Sequence, residues 1–476
     1  MANRTAAVRG GRDQGGRAKK GTGVTTSVAV GGDDTETDPV SAQGLPARSR
    51  VAVAAGKVTG AVSRAAGRGS GAVIGGRVAL RLDPELLRRL TEGRECVLVS
   101  ATNGKTTTTR LIAEALRAIG PVASNALGAN MPAGITAAMA HDRDARHAVI
   151  EVDEKYLPAV ATQTKPRAIA LLNLSRDQLD RAAETRMLAQ RWRDGLAGTA
   201  ATVVANADDP LVVWAAGLAG DVVWVAAGQA WQEDAWSCPQ CGGVLYRPDA
   251  HWRCATCEFH RPDPAWRLDG DALRDPLGVR IALDGLKLPG RANRANATTA
   301  AAVASIFGVD PQVAVRRMEQ VTAVAGRYDT VSYRGRRLRL LLAKNPAGWL
   351  ETFDLVASDR AADDAASAEA LSAAAAPNET APGGAGHPVL LSVNALGADG
   401  TDTSWLWDVD YTRLAGRPVL VIGQRRLDLA VRLQVAGVQF TVHDDVDGAV
   451  DAAPPGLIDV IANYTAFQQL RQKVGA

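Results

Sequence analysis

The 476-residue sequence predicts an α/β protein: a central domain around a mainly parallel sheet, interrupted by a cysteine-rich insertion, and a smaller Rossmann-like α/β domain towards the C-terminus. Three observations predict it. An apolar, β-branched run, Glu95-Cys-Val-Leu-Val-Ser100, leads through a Gly-Lys-Thr loop into a helical pattern; this is how a buried parallel strand meets a phosphate-binding turn. Strand-like and helical runs alternate beyond it, as in sheets covered by helices on both faces. Four of the five cysteines form two C-x-x-C pairs within one stretch that breaks the alternation.

Composition sets the outer limits. Hydrophobic content of 46% and charged content of 22% suit a globular chain, and the length asks for two or three domains of roughly 100–200 residues. The 54 basic and 51 acidic residues nearly cancel, which argues against a dedicated nucleic-acid binder. No run of about 18 apolar residues predicts a transmembrane helix, and no apolar h-region predicts a secretory signal. The expected compartment is a reducing cytoplasm.

In order along the chain, residues 1–44 carry Gly, Arg, Ser, Thr and a short acidic run from Asp33 to Asp38, a composition expected to remain a disordered tail. Val51 to about Leu80 alternates small residues with Gly and Arg, and is expected to be a loosely packed helical lead-in. The central domain is expected over 45–316. Its strands are placed at Glu95–Ser100, His147–Val152, Ala168–Leu174, Ala201–Asn206 and Val222–Ala226, with helices at Thr106–Ile119 and Arg181–Leu196. The insertion spans 235–262. The C-terminal domain, 317–476, has strands at Val389–Val393, Pro418–Ile422 and Val438–Val442, interrupted by a flexible loop over 357–388 rich in Ala, Asp, Ser, Gly and Pro.

The loop Ser100-Ala-Thr-Asn-Gly-Lys-Thr-Thr-Thr-Thr109 contains the residues of a nucleotide site, so the central domain reads as a P-loop ATPase. Gly104 lets backbone approach phosphate oxygens and Lys105 neutralises their charge. Thr106 is a hydroxyl ligand for Mg²⁺, and the helix start presents free N–H groups. Thr102, Asn103 and Thr107 complete the expected contacts, although Val99 stands where the first Gly of the general pattern would be. Glu151, in Glu151-Val-Asp-Glu154, is placed at a strand end beside the loop as a carboxylate for Mg²⁺.

These segments resemble the Mur ligase superfamily, ATP-dependent enzymes that activate carboxylates in peptidoglycan and folylpolyglutamate synthesis. The resemblance rests on T-N-G-K-T-T-T, on Glu151-Val-Asp-Glu154, and on Asn173-Leu-Ser-Arg-Asp-Gln-Leu-Asp180, which has Gln178 in place of the usual His. Asn206-Ala-Asp-Asp-Pro210, Gly290-Arg-Ala-Asn-Arg-Ala-Asn296 and Gly326-Arg327 match later segments. It implies a Mur ligase-like fold in which Asn173, Asp177, Asn293, Asn296 and Arg327 face the nucleotide. One feature departs: Arg181–Gly198 contains no Lys, whereas amino-acid-adding members have a carbamoylated Lys there for a second Mg²⁺.

Cys238-Pro-Gln-Cys241-Gly-Gly and Cys254-Ala-Thr-Cys257 have the spacing of a zinc ribbon, whose four thiolates close a tetrahedral site and leave no place for water. The expected Zn²⁺ is structural. Cys96, in the strand before the loop, is expected to be a buried, inert thiol.

Asn394-Ala-Leu-Gly-Ala-Asp-Gly-Thr-Asp-Thr-Ser-Trp-Leu-Trp-Asp-Val-Asp410 and Lys344-Asn-Pro-Ala-Gly348, together with a zinc ribbon inside a Mur-like core, resemble the MurT family, the synthetase subunits of lipid II isoglutaminyl synthases. That resemblance implies ATP-dependent amidation of the D-glutamate α-carboxylate in the lipid II stem peptide, at the inner face of the membrane. Ammonia would come from a partner, a class I glutaminase subunit of GatD type forming a heterodimer; the chain itself shows no Cys–His pair. It also implies that an Asp of the C-terminal domain completes the partner's triad, here Asp408, with Asp402 second. Two alternatives stand beside this: a Mur or folylpolyglutamate-type amino-acid ligase, and a nucleotide-switched zinc-ribbon binding protein.

Overall fold

The structure, a computed structural model, describes residues 44–66, 71–125, 129–176, 185–229, 231–248, 251–322, 328–357 and 386–475. Residues 1–43 of the expected tail, 358–385 of the expected loop, Asp177 and Arg327 lie outside them.

Glycines decide how the chain begins. Helices α1 (Ala47–Ala65) and α2 (Ala72–Leu82) form a hairpin against α5 (Pro132–Met139). The lead-in is helical, as the composition suggests, but it is not loose. A Cβ on Gly75 would lie 2.4 Å from the carbonyl oxygen of Gly56, one on Gly71 2.1 Å from that of Gly60, and one on Gly76 1.8 Å from that of Ala133. The residues that look permissive in sequence are the contacts, because only a missing side chain lets backbones approach this closely. Below the hairpin, buried Asp83 accepts from Ser49 (2.6 Å) and Arg89 (2.5 Å), tying α1 to α3 (Leu86–Thr91).

Next come β1 (Glu95–Ser100), α4 (Lys105–Leu116), β2 (Val122–Ser124), α5, β3 (His147–Glu151), α6 (Leu157–Thr164), β4 (Ala168–Leu171), α7 (Thr185–Leu196), β5 (Thr202–Asn206), α8 (Pro210–Ala216) and β6 (Val222–Ala226). After the insertion, which contains β7 (Leu245–Tyr246) and β8 (Arg253–Cys254), come β9 (Trp266–Asp269), β10 (Ala272–Arg274), β11 (Arg280–Ala282), α9 (Arg291–Ile306) and α10 (Pro311–Met318). Among the described residues nine strands form one sheet, in the order β11-β10-β9-β6-β5-β4-β1-β3-β2. The pairings from β2 to β9 are parallel and the last two antiparallel. Strand β1 feeds both faces: Cys96 and Leu98 enter a core with α5–α8, while Val97 and Val99 enter one with α4, α9 and α10. Burial of Cys96 pushes its thiol up to about 12, so it stays protonated and inert.

A second sheet, β12-β13-β17-β14-β15-β16, comprises β12 (Tyr328–Tyr333), β13 (Arg336–Leu342), β14 (Val389–Ser392), β15 (Val419–Ile422), β16 (Phe440–Val442) and β17 (Leu457–Ala462). It lies between α11 (residues 346–357) and α12 (Arg426–Val435) on one face and α13 (Val446–Ala452) and α14 (Tyr464–Val474) on the other. Strand β13, in which Arg and Leu alternate at its start, is internal to the sheet. Its Arg339 lies in register with Asp459 of β17 and donates to it at 2.6 Å, so each charge is buried against the other.

The hairpin packing yields a direct test. Gly76→Val should destabilise the protein by about 1–3 kcal/mol through overpacking, seen as a lowered thermal midpoint. Gly44→Val, where nothing lies within 4 Å, should leave the midpoint unchanged. Equal midpoints for both variants would contradict the close packing.

Candidate functional site

The strand order turns back around β1, and in parallel sheets such a switch point opens a crevice at the strands' C-terminal ends. The loop leaving β1 fills that crevice. Gly104 has φ +84°, and a Cβ there would lie 2.9 Å from Asn296 Oδ1, so both conformation and contact demand glycine. Helix α4 starts at Lys105 with no side-chain cap, leaving its first N–H groups directed at the crevice.

The loop is held mainly by the segment after β4. Asn173 Oδ1 accepts from the Asn103 N–H (2.9 Å), and its Nδ2 donates to the Asn103 carbonyl (3.1 Å). Thr102 N donates to the Asn173 carbonyl (3.0 Å), while Thr102 Oγ1 donates to the Ser175 carbonyl and accepts from its N–H. Asp209 fixes this segment in turn. Its carboxylate accepts from the N–H groups of Leu174, Leu211 and Val212 and from Gln229, while complete burial pushes its carboxyl up to about 6 against those donors.

Lys105 is buried. Its Nζ donates to the carbonyls of Ala101 and Thr102 and pairs with Glu154 Oε1 at 3.0 Å. Glu154 is therefore the loop lysine's partner, and Glu151 takes a different position. Glu151 lies level with Val99, one residue before the loop-entry Ser100, and is almost completely buried. Asn125 clamps its backbone on both sides, Asn130 Nδ2 donates to Oε1 at 3.1 Å, and Oε2 is buried without a hydrogen-bond partner among the described residues. A buried carboxylate oxygen with no donor fits a cation ligand: with Thr106 at the start of α4, Glu151 can hold Mg²⁺ beside a phosphate. Asp153 accepts from the Lys155 N–H in a local turn.

The crevice continues to the second sheet as one cleft. Asn103 and Asn345 exchange amide hydrogen bonds, both 3.2 Å, linking the phosphate loop to the start of α11. Asn103, Gly104, Thr107, Asn173, Asn293 and Asn296 all line the cleft. Asn296 faces Gly104, whereas Asn293 donates back to the Pro289 carbonyl at 2.6 Å, a local bond within its own turn. The expected site residues omit Asn206, Trp231, Arg291 and Lys344, which also line it. Asn206, Arg291 and Lys344 lie in segments the sequence singles out; Trp231 lacks a motif of its own.

The two aspartates of the C-terminal segment occupy separate places. Asp402 accepts from the Ser404 N–H (2.8 Å), opening the short 3₁₀ turn Ser404–Asp408. Asp408 ends that turn with its side chain one-third exposed, 3.2 Å from Arg176 Nη1. Arg176 also binds Asp234, so Asp408 is joined to the central domain beside the cleft. Arg432 of α12 holds the turn by donating to the carbonyls of Leu406 and Val409 and lying over the Trp407 ring.

In the insertion, one Sγ from each of Cys238, Cys241, Cys254 and Cys257 lies within 4.8 Å of the others. The 3.7 Å from Cys238 to Cys257 and 3.4 Å from Cys241 to Cys254 are far too long for disulfides. They suit the edges of a tetrahedron of thiolates around Zn²⁺ with bonds of about 2.3 Å. Burial opposes ionisation of Cys254, but the N–H groups of Thr256 and Cys257 and the neighbouring thiols outweigh it and hold this thiol at about 6; burial pushes Cys238 up to about 12. The ribbon is anchored to the sheet by Trp252, which donates to the Ala207 carbonyl (3.0 Å), and by Arg261, paired with Asp208 (2.6 Å). Metal analysis of gently purified protein should find one Zn²⁺ per chain. Cys241→Ser should lose it and aggregate, because the ribbon supports Ala207 and Asp208 next to the cleft; metal-free wild-type protein would refute the assignment.

Comparison with known proteins agrees with this geometry. The Mur ligase middle domain model matches residues 99–232 and the MurT ligase C-terminal model matches residues 342–467. The chain is 28% identical over 453 residues to the lipid II isoglutaminyl synthase (glutamine-hydrolyzing) subunit MurT of Staphylococcus aureus, covering 90% of this chain and 98% of that one. It is 29% identical to the same subunit from Streptococcus pneumoniae, covering 85% and 92%. Among solved structures it is similar to a pseudomurein peptide ligase type C from Methanothermus fervidus (TM-score 0.58, 16% identity, 80% of this chain and 78% of that one). It is also similar to MurF from Acinetobacter baumannii (TM-score 0.56, 14% identity, 84% and 80%), a likeness of fold. The phosphate loop, the inserted four-cysteine cluster and the C-terminal α/β domain thus make this chain a MurT-like member of the Mur ligase family of ATP-dependent ligases of peptidoglycan synthesis.

Proposed function

We propose that this protein amidates the D-glutamate α-carboxylate of the lipid II stem peptide to D-isoglutamine, using ammonia from a class I glutaminase with which it forms a heterodimer. The observation that carries the reading is the meeting, in one cleft, of a Mur-type phosphate loop with a MurT-type C-terminal domain. The missing lysine between Arg181 and Gly198 favours ammonia over an amino acid as the amine.

In this account ATP lies with its phosphates on the N-terminus of α4. Lys105 supplies positive charge there, and Glu151 and Thr106 are the residues that would hold Mg²⁺, which would supply further positive charge to the phosphates. The substrate carboxylate attacks the γ-phosphorus and ADP leaves. Ammonia then attacks the acyl carbon of the resulting acyl phosphate, phosphate departs, and the nitrogen loses a proton to give the amide. Asn103, held by Asn173 and Asn345, positions the loop between nucleotide and C-terminal domain. Asp408, partly exposed at the end of its turn, orients the partner's catalytic His, with Arg176 holding its carboxylate at 3.2 Å.

Co-expression with a class I glutaminase from the same source should give a complex that converts lipid II to its amide in the presence of glutamine and ATP, read by mass spectrometry. Lys105→Ala should lower turnover by roughly a hundredfold or more while the complex still assembles; near-normal turnover would remove the nucleotide from this loop. Glu151→Gln should raise the Mg²⁺ requirement, and an unchanged Mg²⁺ titration would exclude it as a ligand. Asp408→Asn should cripple glutamine hydrolysis yet spare amidation driven by added ammonium. Loss of both would place Asp408 in the synthetase site, and loss of neither would leave it without a catalytic role.

A further inference from the structure

Helix α1 is amphipathic in the opposite sense to an ordinary surface helix. Its buried residues are Ser49, Ala52, Gly56, Gly60 and Ser63, all small. Of its four valines Val53 packs against the core, while the other three point outwards: Val51 is 60% exposed, Val58 64% and Val62 63%. Their spacing of seven and four puts them on one face of the helix. The cations Arg50, Lys57 and Arg64 each lie next to this stripe or one turn along it, spaced by seven. In α2, Ile74, Arg77, Arg81 and Leu82 likewise form an exposed face of mixed apolar and basic residues.

Charge identifies what such a face fits. From Pro39 to Leu82 the sequence has seven basic residues and no acidic one, although the whole chain is almost neutral. Water alone gives no reason to expose valines while filling the interface with glycines. An apolar stripe flanked only by cations matches the boundary between acyl chains and anionic headgroups. No helix among the described residues is long and apolar enough to cross a membrane, so such a helix lies on the surface; 19 residues give it about 28 Å of contact length.

We propose that the exposed face of α1 docks the protein on an anionic lipid surface. The hairpin is well placed to relay that contact: Gly76 of α2 packs on Ala133 of α5, and the segment entering α5 holds Asn130 against Glu151. The proposal does not depend on the reaction above, because vesicle binding is scored without turnover.

The test is flotation of the full chain with vesicles of phosphatidylcholine alone or mixed with phosphatidylglycerol. The wild type should float with the anionic vesicles, lose binding as salt rises, and stay with the soluble fraction in pure phosphatidylcholine. Val58→Asp, at an exposed position, should weaken anionic-vesicle binding roughly tenfold without changing the thermal midpoint; Lys57→Glu should do the same by removing only charge. All variants retain residues 1–43, so a contribution from those residues is common to them. Binding by the variants equal to the wild type, or no flotation of the wild type, would overturn the proposal. So would sedimentation showing a wild-type dimer that Val58→Asp dissociates, because a second copy would then cover the face.

Discussion

The peptide unit at Asn103 is the point on which the rest of the site depends. Its N–H and carbonyl are both taken by Asn173, and its side-chain amide is matched to Asn345. A buried backbone group that lost these partners would cost about 1–3 kcal/mol. The bonds therefore define where the helix start and Gly104 present themselves to phosphate. They also mean that the phosphate loop, the segment after β4 and the C-terminal domain share one set of contacts, so the site is assembled from three parts of the chain at once.

The surroundings follow from that constraint. Asp209 fixes the Leu174 backbone next to Asn173 and the start of α8, while its neighbour Asp208 anchors the cysteine ribbon through Arg261. The ribbon, far from the phosphate loop in sequence, is thus only a few bonds from it. Glu151 is positioned by its strand register with β1 and by Asn125 and Asn130, and α5 connects this cluster to the glycine-packed hairpin. Nucleotide site, ribbon and hairpin are three attachments to one sheet edge.

Much of this was legible in the sequence, and the limits have physical causes. Strand β1 and the loop after it could be read because a buried parallel strand has continuous apolar residues and a phosphate loop needs Gly next to Lys. The cysteine cluster could be read because its ligands are close in sequence. Lys344 and Trp231 could not be assigned to the cleft, since that wall forms only when distant segments meet. The buried pairing of Arg339 with Asp459 could not be read, because the two residues lie 120 positions apart and meet only when β13 pairs with β17. The hairpin was misjudged as loose because glycine signals flexibility locally, while across an interface it permits the tightest contact.

The central claim is that ammonia, not an amino acid, is the amine consumed in the cleft. Following ADP release with lipid II, ATP and either ammonium or a panel of amino acids, without any glutaminase present, tests it most directly. With ammonium, ADP and amidated lipid II should form in equal amounts, with heavy oxygen from a labelled substrate carboxylate appearing in the released phosphate. ADP release driven by an amino acid and not by ammonium would contradict it.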